Sequence, residues 1–123
     1  ETQDDVVMFA ETLRKIPVVV QECPGFLVNR LLMPYLNEAT LALEEGAATA
    51  TEIDTAVVEW GMPMGPFTLM DFAGVDTIYS MACAMYDEFK DPAFAPPPLL
   101  KAMVTAGFYG RKSGRGFYDY AKK

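Results

Sequence analysis

Only one β-branched run in this chain is long enough to make a strand before the closing residues. It is Ile16-Pro-Val-Val-Val20, and it has no partner. A lone strand leaves its backbone donors and acceptors unpaired. From Phe26 onward the apolar spacing is helical, punctuated by glycine and proline. The pattern predicts an all-α domain preceded by a helix over residues 4–14 and a strand over 16–20. Those two leading pieces read as the end of another domain. The expected division is 1–22 for the remnant and 23–123 for the helical domain. The absence of an initiator Met fits a chain excised from something larger.

Within the helical part, residues 26–45 form one wide stripe through Leu27, Val28, Leu31, Leu32, Tyr35, Leu36, Ala39 and Leu43. Pro34 is expected to kink that helix, and Gly46 to end it. Thr51 is expected to cap the next helix, with Ile53, Ala56, Val57 and Trp60 inward and Gly61 as the stop. Pro66 suits the first turn of a third helix. A fourth spans 76–89, with Ile78, Met81, Ala82, Met85, Tyr86 and Phe89 buried. A proline-rich connector covers 91–98, a short helix follows over 99–105, and a glycine-rich extended arm closes the chain.

With 123 residues the chain is one ordinary domain, and 51% hydrophobic against 22% charged residues describes a soluble globular protein. The net charge of −7 argues against nucleic acid and anionic membrane as main partners. No apolar run reaches the ~20 residues that span a bilayer. The acidic N-terminal residues do not read as a signal or transit peptide. The chain contains no histidine, which removes a His general base, a Ser-His-Asp triad and any His-ligated metal from within it. Cys23 and Cys83 are too few for a thiolate zinc site and read as reduced cytoplasmic thiols, with one disulfide between them left open.

Gly110-Arg-Lys-Ser-Gly114 lacks the glycine that a phosphate loop needs before its lysine, so it reads as a turn. Asp71 and Asp76, like Glu44 and Glu45, read as carboxylates on solvated faces. The methionines, Met62, Met64, Met70, Met81 and Met85 among them, fill core gaps or line a pliable pocket. Asn29 interrupts the apolar stripe of the long helix. Its spacing leaves two readings open, a partly exposed amide or a substrate-facing one.

Three stretches carry a resemblance: Val18-Val-Val-Gln-Glu-Cys-Pro-Gly-Phe-Leu-Val-Asn-Arg30, Gly61-Met-Pro-Met-Gly-Pro-Phe-Thr-Leu-Met-Asp-Phe-Ala-Gly-Val-Asp76, and Gly110-Arg-Lys-Ser-Gly-Arg-Gly-Phe-Tyr-Asp-Tyr120. In order and spacing they resemble the C-terminal part of the 3-hydroxyacyl-CoA dehydrogenases, of the 3-hydroxybutyryl-CoA dehydrogenase kind. The resemblance implies a helical domain of the 6-phosphogluconate dehydrogenase C-terminal-like type. It implies an enzyme that oxidises L-3-hydroxyacyl-CoA to 3-oxoacyl-CoA with NAD, in fatty-acid β-oxidation chemistry. The NAD site and the His base would lie in a Rossmann-type N-terminal domain absent here, so this chain alone should be inactive. The implied partners are acyl-CoA, that Rossmann domain and a second subunit, in the cytoplasm. By the motif match Asn29 carries over as a catalytic and substrate-binding residue, with Met64 and Pro66 as further substrate contacts. The rival expectation is a stand-alone helical module that binds acyl-CoA or a partner without catalysis.

Overall fold

The computed structural model describes residues 2–19, 21 and 27–120. Six α-helices follow in order: α1 Thr2–Thr12, α2 Val28–Glu44, α3 Ala50–Trp60, α4 Pro66–Ala73, α5 Val75–Phe89 and α6 Pro98–Ala106. Single 3-10 turns lie at Pro92–Phe94 and Arg111–Ser113. The expected all-α class is what the described residues form.

The leading strand does not form. Residues 16–19 carry no strand, Ile16 is 92% exposed, and Val20 lies outside the described residues. Without a second strand to pair with, a β-branched run gains nothing from extension. The leading helix does form, but α1 buries none of its side chains, and Val6, Met8, Phe9 and Leu13 stand exposed. The expected boundary at 22/23 lies outside the described residues, as do Cys23 and the start expected for α2 at Phe26.

The core draws Met33 and Leu36 from α2, Phe67 and Met70 from α4, Val75, Ile78, Ala82 and Met85 from α5, and Leu100 and Met103 from α6. Phe94, from the 3-10 turn, closes one end of it. Helix α5 sits centrally, packed on α2, α4 and α6. Residues 75, 78, 82 and 85 recur at three and four, which places them on one face. Tyr86 lies one position off that face and is 37% exposed, so its expected burial does not hold. Phe67 and Phe117 meet with ring centroids 4.7 Å apart, which fastens the closing arm to the core.

Helix ends follow local chemistry, with one shift. Gly46 and Gly107 take left-handed φ values of 80° and 82° just past α2 and α6. Pro66 occupies the first position of α4. The cap of α3 is Thr49, not Thr51. The Thr49 hydroxyl accepts from the Glu52 N–H at 3.2 Å, and the Glu52 carboxylate accepts from the Thr49 N–H at 2.9 Å. That reciprocal box needs an acidic residue three positions on. Thr51 would have to use Asp54, which is engaged elsewhere. Ala56 and Trp60 are also not inward: Ala56 is exposed, and Trp60, the last residue of α3, is 80% exposed.

Candidate functional site

Two buried carboxylates organise the middle loop and the tail. Asp54, on α3, is 7% exposed and accepts four hydrogen bonds. The Phe67 and Thr68 backbone N–H groups donate to it at 2.9 and 3.1 Å, the Thr68 hydroxyl at 2.8 Å and the Tyr118 hydroxyl at 2.6 Å. Helix α4 has no cap of its own, because Gly65 stands at that position. Asp54 does that work from another helix, satisfying orphan donors and facing the positive end of α4.

Asp71 is 1% exposed, which overturns its reading as a solvated carboxylate. It accepts from the Phe117 and Tyr118 N–H groups at 2.9 and 3.0 Å, and from the Tyr120 hydroxyl at 2.7 Å. Held by four and three hydrogen bonds respectively, Asp54 and Asp71 anchor the middle loop and the tail. Burial and the neighbouring carboxylates push the Tyr118 hydroxyl well above the ordinary tyrosine range and the Tyr120 hydroxyl up to about 12.

The glycines of the tail follow from this arrangement. Gly110 holds φ at 108°, and a Cβ there would lie 2.7 Å from the Asp71 Cα. A Cβ on Gly116 would lie 2.6 Å from the Gly110 Cα and 2.7 Å from the Asp71 Cγ. The glycines therefore serve close approach to α4. No strand–loop–helix unit surrounds them, so the tail is no nucleotide loop. Its cations are not simply solvated either. Arg111 lies over the Phe72 and Tyr120 rings at 5.4 and 5.7 Å, and Arg115 over Phe108 at 4.6 Å. Lys112 pairs with Asp76 at 2.7 Å and holds that carboxyl below its usual range.

The expected site residues fall in different settings. Asn29 is half-exposed on the first turn of α2, beside the exposed Leu27, Val28 and Leu31. Its amide makes no hydrogen bond to another described residue. Met64 is half-buried and lines a cavity of about 490 Å³, with Asp54, Thr55, Val58, Glu59, Pro63 and Thr68 among its walls. Pro66 is fully buried, so its ring seats α4 and is not presented to solvent. Asn29 and Met64 thus sit on separate elements. A second cavity, of about 570 Å³, lies between α2 and the Pro92–Phe94 turn. There the Asn37 amide, 2% exposed, donates to the Ala93 carbonyl at 3.1 Å and ties the two together. Asp54 and Asn37 do not stand out in the sequence, and Asp71 reads there as a solvated carboxylate. The one available signal was a polar residue on an apolar stripe, and such a residue must find partners once buried.

The described residues thus form a helical body closed by a carboxylate-clasped tail, with a polar amide on an exposed apolar turn. The chain belongs to the 3-hydroxyacyl-CoA dehydrogenase family, matching that family's C-terminal domain over residues 25–120. A probable 3-hydroxybutyryl-CoA dehydrogenase of Bacillus subtilis is 46% identical over 100% of this chain and 43% of its own length. Among solved structures, Mycobacterium tuberculosis FadB2 is 48% identical with a TM-score of 0.90, over 96% of this chain and 42% of that one. The (S)-3-hydroxybutyryl-CoA dehydrogenase of Ralstonia eutropha is 42% identical with a TM-score of 0.89, over 97% and 42%. The chain therefore spans less than half the length of these relatives. No helix of the described residues is long and apolar enough to cross a membrane.

Proposed function

We propose that this chain is the substrate-side domain of an NAD-dependent enzyme that oxidises L-3-hydroxyacyl-CoA to 3-oxoacyl-CoA. The family membership supports the reaction class. The observation that carries the site is Asn29 itself, an amide held at the surface on the exposed first turn of α2, within the Leu27-Val-Asn-Arg30 motif. An amide there can donate to the substrate oxygen and accept from the proton-carrying base, so it orients both. The chain holds no histidine, so the proposed general base, together with the NAD site that this reaction requires, is assigned to the rest of the enzyme.

Met64 joins the proposed site as a pliable apolar wall for the acyl part, while buried Pro66 shapes the loop that presents it. Exposed Val28 and Leu31 on α2, with Tyr86 on α5, support a homodimer contact, and the free, half-buried Cys83 thiol supports a cytoplasmic setting. Asn29→Ala in the complete enzyme tests the reading. Turnover of a 3-hydroxyacyl-CoA should fall about a hundredfold while thermal stability stays within about 0.5 kcal/mol. Unchanged turnover would remove Asn29 from the site.

A further inference from the structure

The first turn of α2 is weakly tied to its surroundings. Its N-cap, Leu27, makes no side-chain cap bond, and no acidic residue stands in the first turn. Val28 and Leu31 are exposed, and Leu32 is the first α2 side chain packed on the core. Pro34 lies one turn further on and has no N–H to give the Arg30 carbonyl. One bond of the α2 ladder, the one that would end on the Arg30 carbonyl beside Asn29, is therefore missing.

One side chain of this turn reaches another helix. The Arg30 guanidinium lies 5.1 Å from the Phe89 ring centroid. Phe89 stacks on Phe94 at 4.9 Å with the planes 24° apart, and Phe94 belongs to the core. We infer that Arg30, through Phe89 and Phe94, is a positioning residue for Asn29: it ties the first turn of α2 to the end of α5 and so fixes where the neighbouring amide points. This rests on the proposed role of Asn29 and deepens it. A cation over a ring is a modest interaction, so the device sets orientation rather than overall stability.

The test compares Arg30→Met, Arg30→Lys, Phe89→Leu and Asn29→Ala in the complete enzyme. Arg30→Met keeps the apolar stem and removes the cation. It should lower kcat about fivefold to tenfold, with KM for the acyl-CoA within about twofold. Arg30→Lys should recover much of that loss, and Phe89→Leu should reproduce it. In an Asn29→Ala background, Arg30→Met should cost nothing more, because its effect acts through that amide. Hydrogen exchange provides a readout independent of turnover: Arg30→Met should speed exchange over residues 27–33 and leave 36–44 unchanged. If Asn29→Ala lowers kcat and Arg30→Met does not, the positioning role falls while the reading of Asn29 stands. Losses that simply add in the double variant also overturn it, because Arg30 would then act elsewhere. Full activity in Asn29→Ala removes both. Should Arg30→Met fold poorly, Phe89→Leu carries the same comparison from the other side of the contact.

Discussion

Tyr118 donates its hydroxyl to the Asp54 carboxylate at 2.6 Å across 64 residues of sequence. The same residue's backbone N–H donates to Asp71 at 3.0 Å. One residue of the tail thus joins a carboxylate on α3 to another on α4, and the middle loop is trapped between them. Removing only the hydroxyl, by Tyr118→Phe, leaves Asp54 its three other donors. The expected cost is about 1–2 kcal/mol, read as a shift in the unfolding midpoint of the complete enzyme.

Asp54→Ala is the more severe change. It strands the Phe67 and Thr68 N–H groups and the Tyr118 hydroxyl together, and takes away the side chain that caps α4. A loss of about 3 kcal/mol or more is expected. Asp54→Asn keeps one good acceptor and should fall between this variant and wild type. Equal stability of Asp54→Ala and wild type in denaturant would show that the clasp contributes nothing.

Alkaline pH should loosen the tail. Folded Tyr118 and Tyr120 hold their protons above the ordinary tyrosine value of 10.0, Tyr120 up to about 12. Between those values the unfolded chain has released protons that the folded chain keeps. Their contribution to stability is therefore whole below pH 10 and declines as pH rises toward the folded values. Tyrosinate absorbance should show these two rings titrating late, and Tyr118→Phe/Tyr120→Phe should flatten the alkaline decline.

Gly110→Ala and Gly116→Ala should each destabilise strongly, by about 3 kcal/mol or more, since the added methyl would press on the α4 backbone or the Asp71 carboxyl. Gly46→Ala meets no neighbouring atom within 4 Å and bears only its φ of 80°, so it should cost about 1 kcal/mol. Thermal unfolding of the three variants side by side checks the order.

The Asp76–Lys112 pair sets an acid dependence of the opposite sign. Lys112 lowers the folded Asp76 carboxyl below its ordinary 3.8, so this contribution is present above that value and is lost as pH falls through the folded one. Lys112→Met should narrow the stability difference between neutral and acid pH. High salt should narrow it in wild type too, because both side chains are substantially exposed.

Much of the helical plan was legible in the residues. Gly46, Gly61, Pro66, Gly74 and Gly107 act at helix ends through their own backbone preferences, and the 78/82/85 spacing of α5 defines one face without help from elsewhere. Some features read from the same kind of local evidence came out differently, Thr51 and Trp60 among them. Thr51 was a plausible cap until Asp54 proved to be committed to α4. Trp60 lay on the inward period of α3, but no described element covers the end of that helix. For the site, the motif singled out Asn29, while nothing local reveals that Arg30 lies on Phe89.

The sequence by itself determined what is local: a helical chain, its punctuation, the missing histidine, and the amide set within an apolar stripe. Which carboxylates are buried depends instead on how the helices pack. The groups that make burial tolerable come from 13 to 64 positions away in the chain. A buried charge is stable only where its partners converge in space, and that convergence is a property of the packed helices rather than of any stretch of residues. The run at residues 16–19 shows the same rule from the other side. Its strand character was plain in the sequence, yet a strand exists only where a second one is brought to pair with it.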